Sequence, residues 1–244
     1  MDSKSPDIHF VIPCAGVGSR SGMGIPKQYA DLAGVPMIVH TLSALLRVES
    51  AQTICLVVSP QDIYIEDILS NHLKGNQVNI SVVYKGGDTR AQSVLAGLKY
   101  LESKGASKDA WVLVHDAARC LVTAELVKHL ISNCYADTVG GLLAVPVADT
   151  LKQEEGGRAV STISRDTKWA AQTPQMFRLG MLGTALEEGL KLSAGSKLHA
   201  VTDESSAIEA YGYKALLVSG STTNLKITYP ADFEIAQAII RSRG

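Results

Sequence analysis

The chain has 244 residues, 46% of them hydrophobic and 19% charged, with a formal net charge of −1 at pH 7. That length holds one large α/β domain or two small ones, with a substantial core. A charge so near zero excludes a whole-molecule field for nucleic acid or an anionic membrane, so any anion site must be local. The four cysteines, Cys14, Cys55, Cys120 and Cys134, contain no C-x-x-C pair, so neither a zinc knuckle nor a redox motif is readable. Apolar settings such as "TICLVVS" point to buried reduced thiols in a reducing compartment. The start, "MDSKSPDIHF", has no basic segment followed by a long apolar one, and no apolar run approaches the about 20 residues of a spanning helix. The expectation is a cytoplasmic, soluble protein with no membrane partner.

In chain order, residues 8–13 form a first apolar strand, followed by "PCAGVGSRSGMGIPKQ" (13–28), with Gly16, Gly18, Gly22 and Gly24 around two cations, Arg20 and Lys27. Met37, Ile38, Leu42, Leu45 and Leu46 then keep helical spacing. Strands are expected at 53–59 and 79–84, a helix through Val94, Leu95, Leu98 and Leu101, and a strand at 111–115. A helix through Leu126, Val127, Leu130, Ile131 and Cys134 precedes a strand at 138–145. Short apolar runs of this kind suit strands buried on both faces of a parallel sheet. The alternation with helices argues for a doubly wound sheet with right-handed crossovers, whose ligands bind outside the carboxyl ends of the strands.

The rhythm breaks at Ala148. Residues 148–168 are polar and carry Gly156-Gly157 between weakly alternating halves, which predicts a β-hairpin projecting from the body. "RLGMLGTALEEGLKL" returns to helix, "TDESSAIEA" begins another with Thr202 as its cap, "KALLVSG" is a late strand, and Pro230 opens the last helix. The organisation is one domain, residues 1–244, with 148–168 as an arm.

A glycine-rich loop after a strand suits phosphate. A dinucleotide fingerprint needs G-x-G-x-x-G and an acidic residue ending the second strand; here the third glycine comes one position late, and the strand ends in Ser59-Pro60. That disfavours a dinucleotide-dependent oxidoreductase. A Walker loop needs Gly-Lys-Ser/Thr, which is absent. In the remaining phosphate reading, backbone N–H groups wrap a triphosphate while Arg20 and Lys27 reach its oxygens. A tight crossover alone would also want glycines.

The loop, together with "GGDTRAQSVLAGL", "VLVHDAAR", "PVADTLK", "WAAQTPQMF", "TDESSA" and "NLKIT" in that order, resembles the 2-C-methyl-D-erythritol 4-phosphate cytidylyltransferases. The resemblance runs from Ile12 to Thr228. It implies a Rossmann-like, mostly parallel α/β sheet of the nucleotide-diphospho-sugar transferase type with a protruding β-arm. It implies CTP contacts at Pro13, Cys14, Ala15, Gly16, Gly18, Gly87, Asp88, Arg90, Ser93 and Ala117, of which Asp88 and Ser93 also have local readings. Asp88 could simply cap a helix, and Ser93 offers a hydroxyl at a helix start. Acceptor contacts are implied at Asp116, Arg119, Thr150, Arg165, Thr173, Thr202 and Lys226, with Lys226 on a late strand near the centre. Catalytic roles are implied for Arg20, Lys27, Arg165 and Lys226. Asp116, at a strand's end beside a triphosphate, implies a divalent cation such as Mg²⁺, reached directly or through phosphate or water. His115 reads as packed against the sheet. Where the family usually has proline after the arginine, Cys120 stands here.

The chemistry implied is CMP transfer from CTP to methylerythritol phosphate, with pyrophosphate leaving. The acceptor phosphate, with a second pKa of about 6, needs no general base at pH 7. That agrees with the lack of any His–Asp or Cys–His constellation. A ribitol-5-phosphate cytidylyltransferase shares the scaffold and is the nearest alternative. The polar arm cannot form its own core, and an isolated hairpin is marginal in water. Two arms packed about a two-fold axis would bury both, so a homodimer is expected.

Overall fold

The computed structural model describes residues 7–16, 25–73, 75, 79–193 and 201–243. Strands β1 (Ile8–Pro13), β4 (Ala51–Val57), β5 (Asn79–Val83), β6 (Trp111–Val114) and β7 (Gly140–Pro146) fall within one or two residues of the sequence expectation. A small β2–β3 hairpin (Asp31–Leu32, Val35–Pro36) and β11 (Leu216–Ser219) complete the parallel repeat and its surroundings. The helices are α1 (Met37–Leu45), α2 (Ile65–His72), α3 (Arg90–Ser103), α4 (Ala124–Cys134), α5 (Leu179–Ser193), α6 (Glu204–Ala210) and α7 (Pro230–Arg243).

One strand of the seven-stranded sheet was not foreseen. β10 (Trp169–Arg178) enters the sheet antiparallel between β6 and β7, giving the order β11-β7-β10-β6-β1-β4-β5. The other neighbouring pairs are parallel, so the sheet is mixed and mostly parallel. Pro174 interrupts the apolar pattern of "WAAQTPQMFR", and the β10–β7 register breaks between Ala171 and Gln175. That break hid the strand from a pattern reading, because proline removes a ladder donor.

Alternation along the strands sorts the core into two layers. Phe10, Ile12, Ile54 and Leu56 face Leu42 and Leu45 of α1 and Val127 and Leu130 of α4. Val11, Cys55 and Val57 face Val94 and Leu98 of α3 and Leu182 and Leu186 of α5. Helix α3 approaches the sheet so closely that a Cβ on Gly97 would lie 2.7 Å from Val11 Cγ1 and 2.9 Å from Val57 Cγ2. All four cysteines are buried and unpaired in disulfides, and burial pushes the Cys55, Cys120 and Cys134 thiols up to about 12.

The arm is a hairpin of β8 (Leu151–Glu155) and β9 (Arg158–Ile163), every residue of β9 being exposed. Gly156 and Gly157 make the turn at φ of 58° and 79°. Two successive positive φ values define the hairpin turn that fits the strands' right-handed twist. Two local expectations are corrected. Helix α6 is capped by Asp203, whose side chain accepts from Ser206 N–H, and not by Thr202. A carboxylate placed at the N-cap outcompetes the hydroxyl one residue earlier for the same orphan donors. Residues 225–228 are not a strand: Ile227 N–H donates to Ala118 O from an irregular segment, so Lys226 comes from a loop.

The tight α3–sheet contact is testable. Alanine in place of a helical glycine ordinarily gains about 1 kcal/mol. Overpacking a core costs about 1–3 kcal/mol, and the crowding methyls belong to buried, rigid valines. Gly97→Ala should therefore lower the urea midpoint; an unchanged or higher midpoint would contradict the packing described.

Candidate active site

Beside β1, the chain departs to β4 on one side and β6 on the other, which is a topological switch point. There the ends of β1, β4, β5 and β6 open a cavity of about 750 Å³. It is lined by backbone-rich segments, Pro13 to Gly16 and Gly86 to Thr89, and by Ser93, Ala117 and Lys27. Gln28, buried, donates from Nε2 to Cys14 O at 2.7 Å and to Gly16 O at 3.2 Å, so it fixes the chain leaving β1. A Cβ on Gly86 would lie 2.2 Å from Ala15 Cβ and 2.7 Å from Val58 O. Only glycine lets the two lining segments meet.

Helix α3 starts in this wall. Thr89, not Asp88, is its N-cap, in a capping box with Gln92. Asp88 is exposed on the cavity rim. Ser93 Oγ accepts from Gly87 N–H at 3.1 Å and donates to Thr89 O at 3.2 Å, so its hydroxyl shapes the loop.

A smaller cavity of about 120 Å³ adjoins, lined by Arg119, Thr173, Gln175, Thr202 and Asp203. Arg90, Asp116 and Lys226 line both cavities and form the wall between them. Asp116 Oδ1 accepts from Arg90 Nε at 2.8 Å, and its Oδ2 pairs with Lys226 Nζ at 2.8 Å. Burial alone would push the Asp116 carboxyl up. Arg90 and Lys226 outweigh it and hold the group well below the usual carboxylate range. Arg90 also donates through both terminal nitrogens to Glu204, a fully buried carboxylate; Nη2 reaches Oε2 at 3.0 Å.

Behind Asp116 the hydrogen bonds form a directed chain. Asp116 N–H donates to Thr173 Oγ1 at 3.0 Å, and Thr173 Oγ1 lies 3.1 Å from His115 Nδ1. His115 Nε2 lies 3.2 Å from Arg119 O, an atom that can only accept. Nε2 therefore carries the proton, and the Thr173 hydroxyl donates to Nδ1. Burial lowers the His115 pKa to about 4, so the ring is neutral at pH 7. His115 is a packed residue, as expected, and it pins both ends of the turn that carries Asp116, Ala117 and Arg119. Arg119 donates to Asn224 O at 2.7 Å and to Ala171 O at 3.1 Å, binding that turn to the Lys226 loop and to β10.

The fold thus gathers most of the expected site residues. Pro13, Cys14, Ala15, Gly16, Lys27, Gly87, Asp88, Arg90, Ser93, Ala117 and Lys226 line the larger cavity with Asp116; Arg119, Thr173 and Thr202 line the smaller one. Lys27 donates to Ile227 O, next to Lys226. Gly18 and Arg20 lie outside the described residues. Thr150 and Arg165 line neither cavity: both are exposed on the arm, where Arg165 donates to Ala148 O. Gln28, Gly86 and Glu204 were not singled out in the sequence, although all three stand inside quoted blocks. The roles of Gly86 and Glu204 depend on partners far away in the chain.

No group of three or more His, Cys, Asp or Glu suited to a metal occurs among the described residues. With both Asp116 oxygens engaged by cations, the donor set fits an ion carried in on phosphate oxygens and not one caged by protein. No helix among the described residues is long and apolar enough to cross a membrane.

Comparison with known proteins agrees with this geometry. The family model of 2-C-methyl-D-erythritol 4-phosphate cytidylyltransferase matches residues 8–242. The enzyme of that name from Laribacter hongkongensis is 46% identical over 231 residues, covering 94% of each chain. The bifunctional enzyme IspD/IspF of Albidiferax ferrireducens is 48% identical over 240 residues, covering 98% of this chain and 54% of its own length. The crystal structure of the Francisella tularensis 2-C-methyl-D-erythritol 4-phosphate cytidylyltransferase superposes with a TM-score of 0.78 at 34% identity, covering 96% of this chain and 99% of that one.

The His115 assignment makes a spectroscopic prediction. Its ring should stay neutral, with the proton on Nε2, from about pH 5.5 to 8, where an unperturbed histidine changes charge. Nitrogen-15 NMR reads both properties. A ring titrating near the ordinary 6.5 would contradict the arrangement.

Proposed function

Because the chain belongs to the 2-C-methyl-D-erythritol 4-phosphate cytidylyltransferase family, we propose that the larger cavity takes CTP and the smaller one the acceptor sugar phosphate. The reaction transfers CMP to 2-C-methyl-D-erythritol 4-phosphate, giving 4-diphosphocytidyl-2-C-methyl-D-erythritol and pyrophosphate. The observation that carries this reading is the shared wall: one carboxylate and two cations, Arg90, Asp116 and Lys226, border both cavities. Two anionic reactants must meet there, and paired cations at that boundary suit the meeting.

An acceptor phosphate oxygen attacks the α-phosphorus of CTP; the new P–O bond forms as the α–β bridge breaks and pyrophosphate departs. The acceptor phosphate is already mostly dianionic at pH 7, its second pKa being about 6, so no protein base is required. The chain's task is to align the two reactants and to stabilise charge on the transferring group. Lys27, with Arg20 from the glycine-rich loop, supplies charge on the triphosphate side. Lys226 faces the acceptor, and Thr173 and Thr202 stand near it. Mg²⁺, when bound with CTP, neutralises part of the triphosphate charge.

Arg165 and Thr150 fit a second copy's site better than their own. The arm is exposed throughout β9 and carries Val160 and Ile163 bare. A homodimer that buries two such arms would bring their bases to neighbouring sites, and the acceptor phosphate suits the planar fork of Arg165. A reducing, cytoplasmic setting is consistent with four free thiols.

Pyrophosphate release, measured with each nucleoside triphosphate and with methylerythritol phosphate or ribitol phosphate as acceptor, tests the reading. The expected result is release with CTP and methylerythritol phosphate. Release with ribitol phosphate alone, or equal turnover with UTP, would overturn it.

A further inference from the structure

Glu204 has no exposed surface, and both of its carboxylate oxygens accept from Arg90. It lines neither cavity, so it does not touch a ligand held there. A buried ion pair is weak support for a fold, because desolvation cancels much of the attraction and an apolar pair often serves as well. A buried carboxylate at the first position of α6 therefore calls for another reason. Arg90 supplies one: with Nη1 and Nη2 on Glu204, its plane is fixed, and Nε is left pointing at Asp116 Oδ1 at 2.8 Å.

We propose that Glu204 is a positioning residue that, through Arg90, holds the Asp116 carboxylate at the boundary of the two cavities; this rests on the cytidylyl-transfer reading above. Arg90 is the first residue of α3 and borders the cavity assigned to a triphosphate. Without Glu204, its long side chain would be drawn toward that polyanion and away from Asp116. The four charges alternate in a line: Glu204, Arg90, Asp116, Lys226. Lys226 is the most exposed of them, with 46% side-chain exposure against 26% for Arg90, and it is the member free to turn toward an acceptor phosphate. When it does, Asp116 stays in place because Arg90 is tied from behind. Glu204 also follows Thr202 and Asp203, so the same anchor ties the acceptor-side segment to α3.

The test is a double-mutant cycle, since coupled residues give non-additive effects and independent ones do not. Glu204→Gln in the otherwise unaltered chain should lower kcat by about 10–30-fold, the scale of a misaligned group, with CTP affinity in the absence of acceptor changed by less than about 3-fold. In an Asp116→Asn background the same substitution should change kcat by less than about 3-fold. Equal losses in both backgrounds would overturn the proposal, since a purely structural role costs the same in each. A second readout needs no turnover: the Arg90 Nε–H proton should give a protected NMR signal in the unaltered chain, lost in both Glu204→Gln and Asp116→Asn. Persistence of that signal in Glu204→Gln would also overturn it. Should Glu204→Gln not fold, Glu204→Asp carries the same cycle and the same signal. If the unaltered chain transfers no cytidylyl group, the function reading fails, and the NMR signal alone then decides the positioning role.

Discussion

A carboxylate at the mouth of the cavity proposed for a triphosphate would be an electrostatic liability, and the arrangement around Asp116 answers it. Its two oxygens take one cation each, Arg90 from α3 and Lys226 from the loop before α7, at 2.8 Å. Its backbone N–H is held by Thr173 on β10, and Thr173 is held by His115. Elements from four separate parts of the chain converge on this one residue. The wall between the two cavities exists because they do.

The architecture explains why that convergence is possible. Parallel strands β1, β4, β5 and β6 end at one edge, so their loops supply backbone to the larger cavity. The antiparallel β10 reverses direction and brings the Ala171–Gln175 irregularity alongside the end of β6. A purely parallel sheet would have no strand there whose middle reaches Asp116. Helix α6 then follows α5 back across the face and delivers Glu204 behind Arg90.

The parallel half of this arrangement was legible in the sequence. Apolar runs at 8–13, 79–84 and 111–115 announce buried strands, and glycines with two cations announce a phosphate loop. Gly156-Gly157 announced the arm's turn. The rest was not legible, for a common physical reason: it is made of long-range pairings. Glu204 looks like an ordinary first-turn acid, favoured there by the helix dipole, until Arg90, 114 positions earlier, is seen against it. Pro174 masked β10, and the strand placement of Lys226, implied by the family resemblance, gave way to an irregular loop. Thr202 yielded the cap to Asp203 because both are cap-forming types one residue apart. Thr150 and Arg165, carried over from family resemblance, stand away from the cavities of their own chain.

The two cations facing it hold Asp116 ionised and burial holds His115 neutral, so neither changes charge near neutrality. The acid limb of activity therefore belongs to the acceptor phosphate. The most direct test is the pH dependence of kcat/KM for the acceptor, set beside the acceptor's own phosphate titration followed by phosphorus-31 NMR. A single ionisation near about pH 6 that coincides with the acceptor's second phosphate pKa is predicted. A limb displaced from that titration would reveal a protein base and contradict the account.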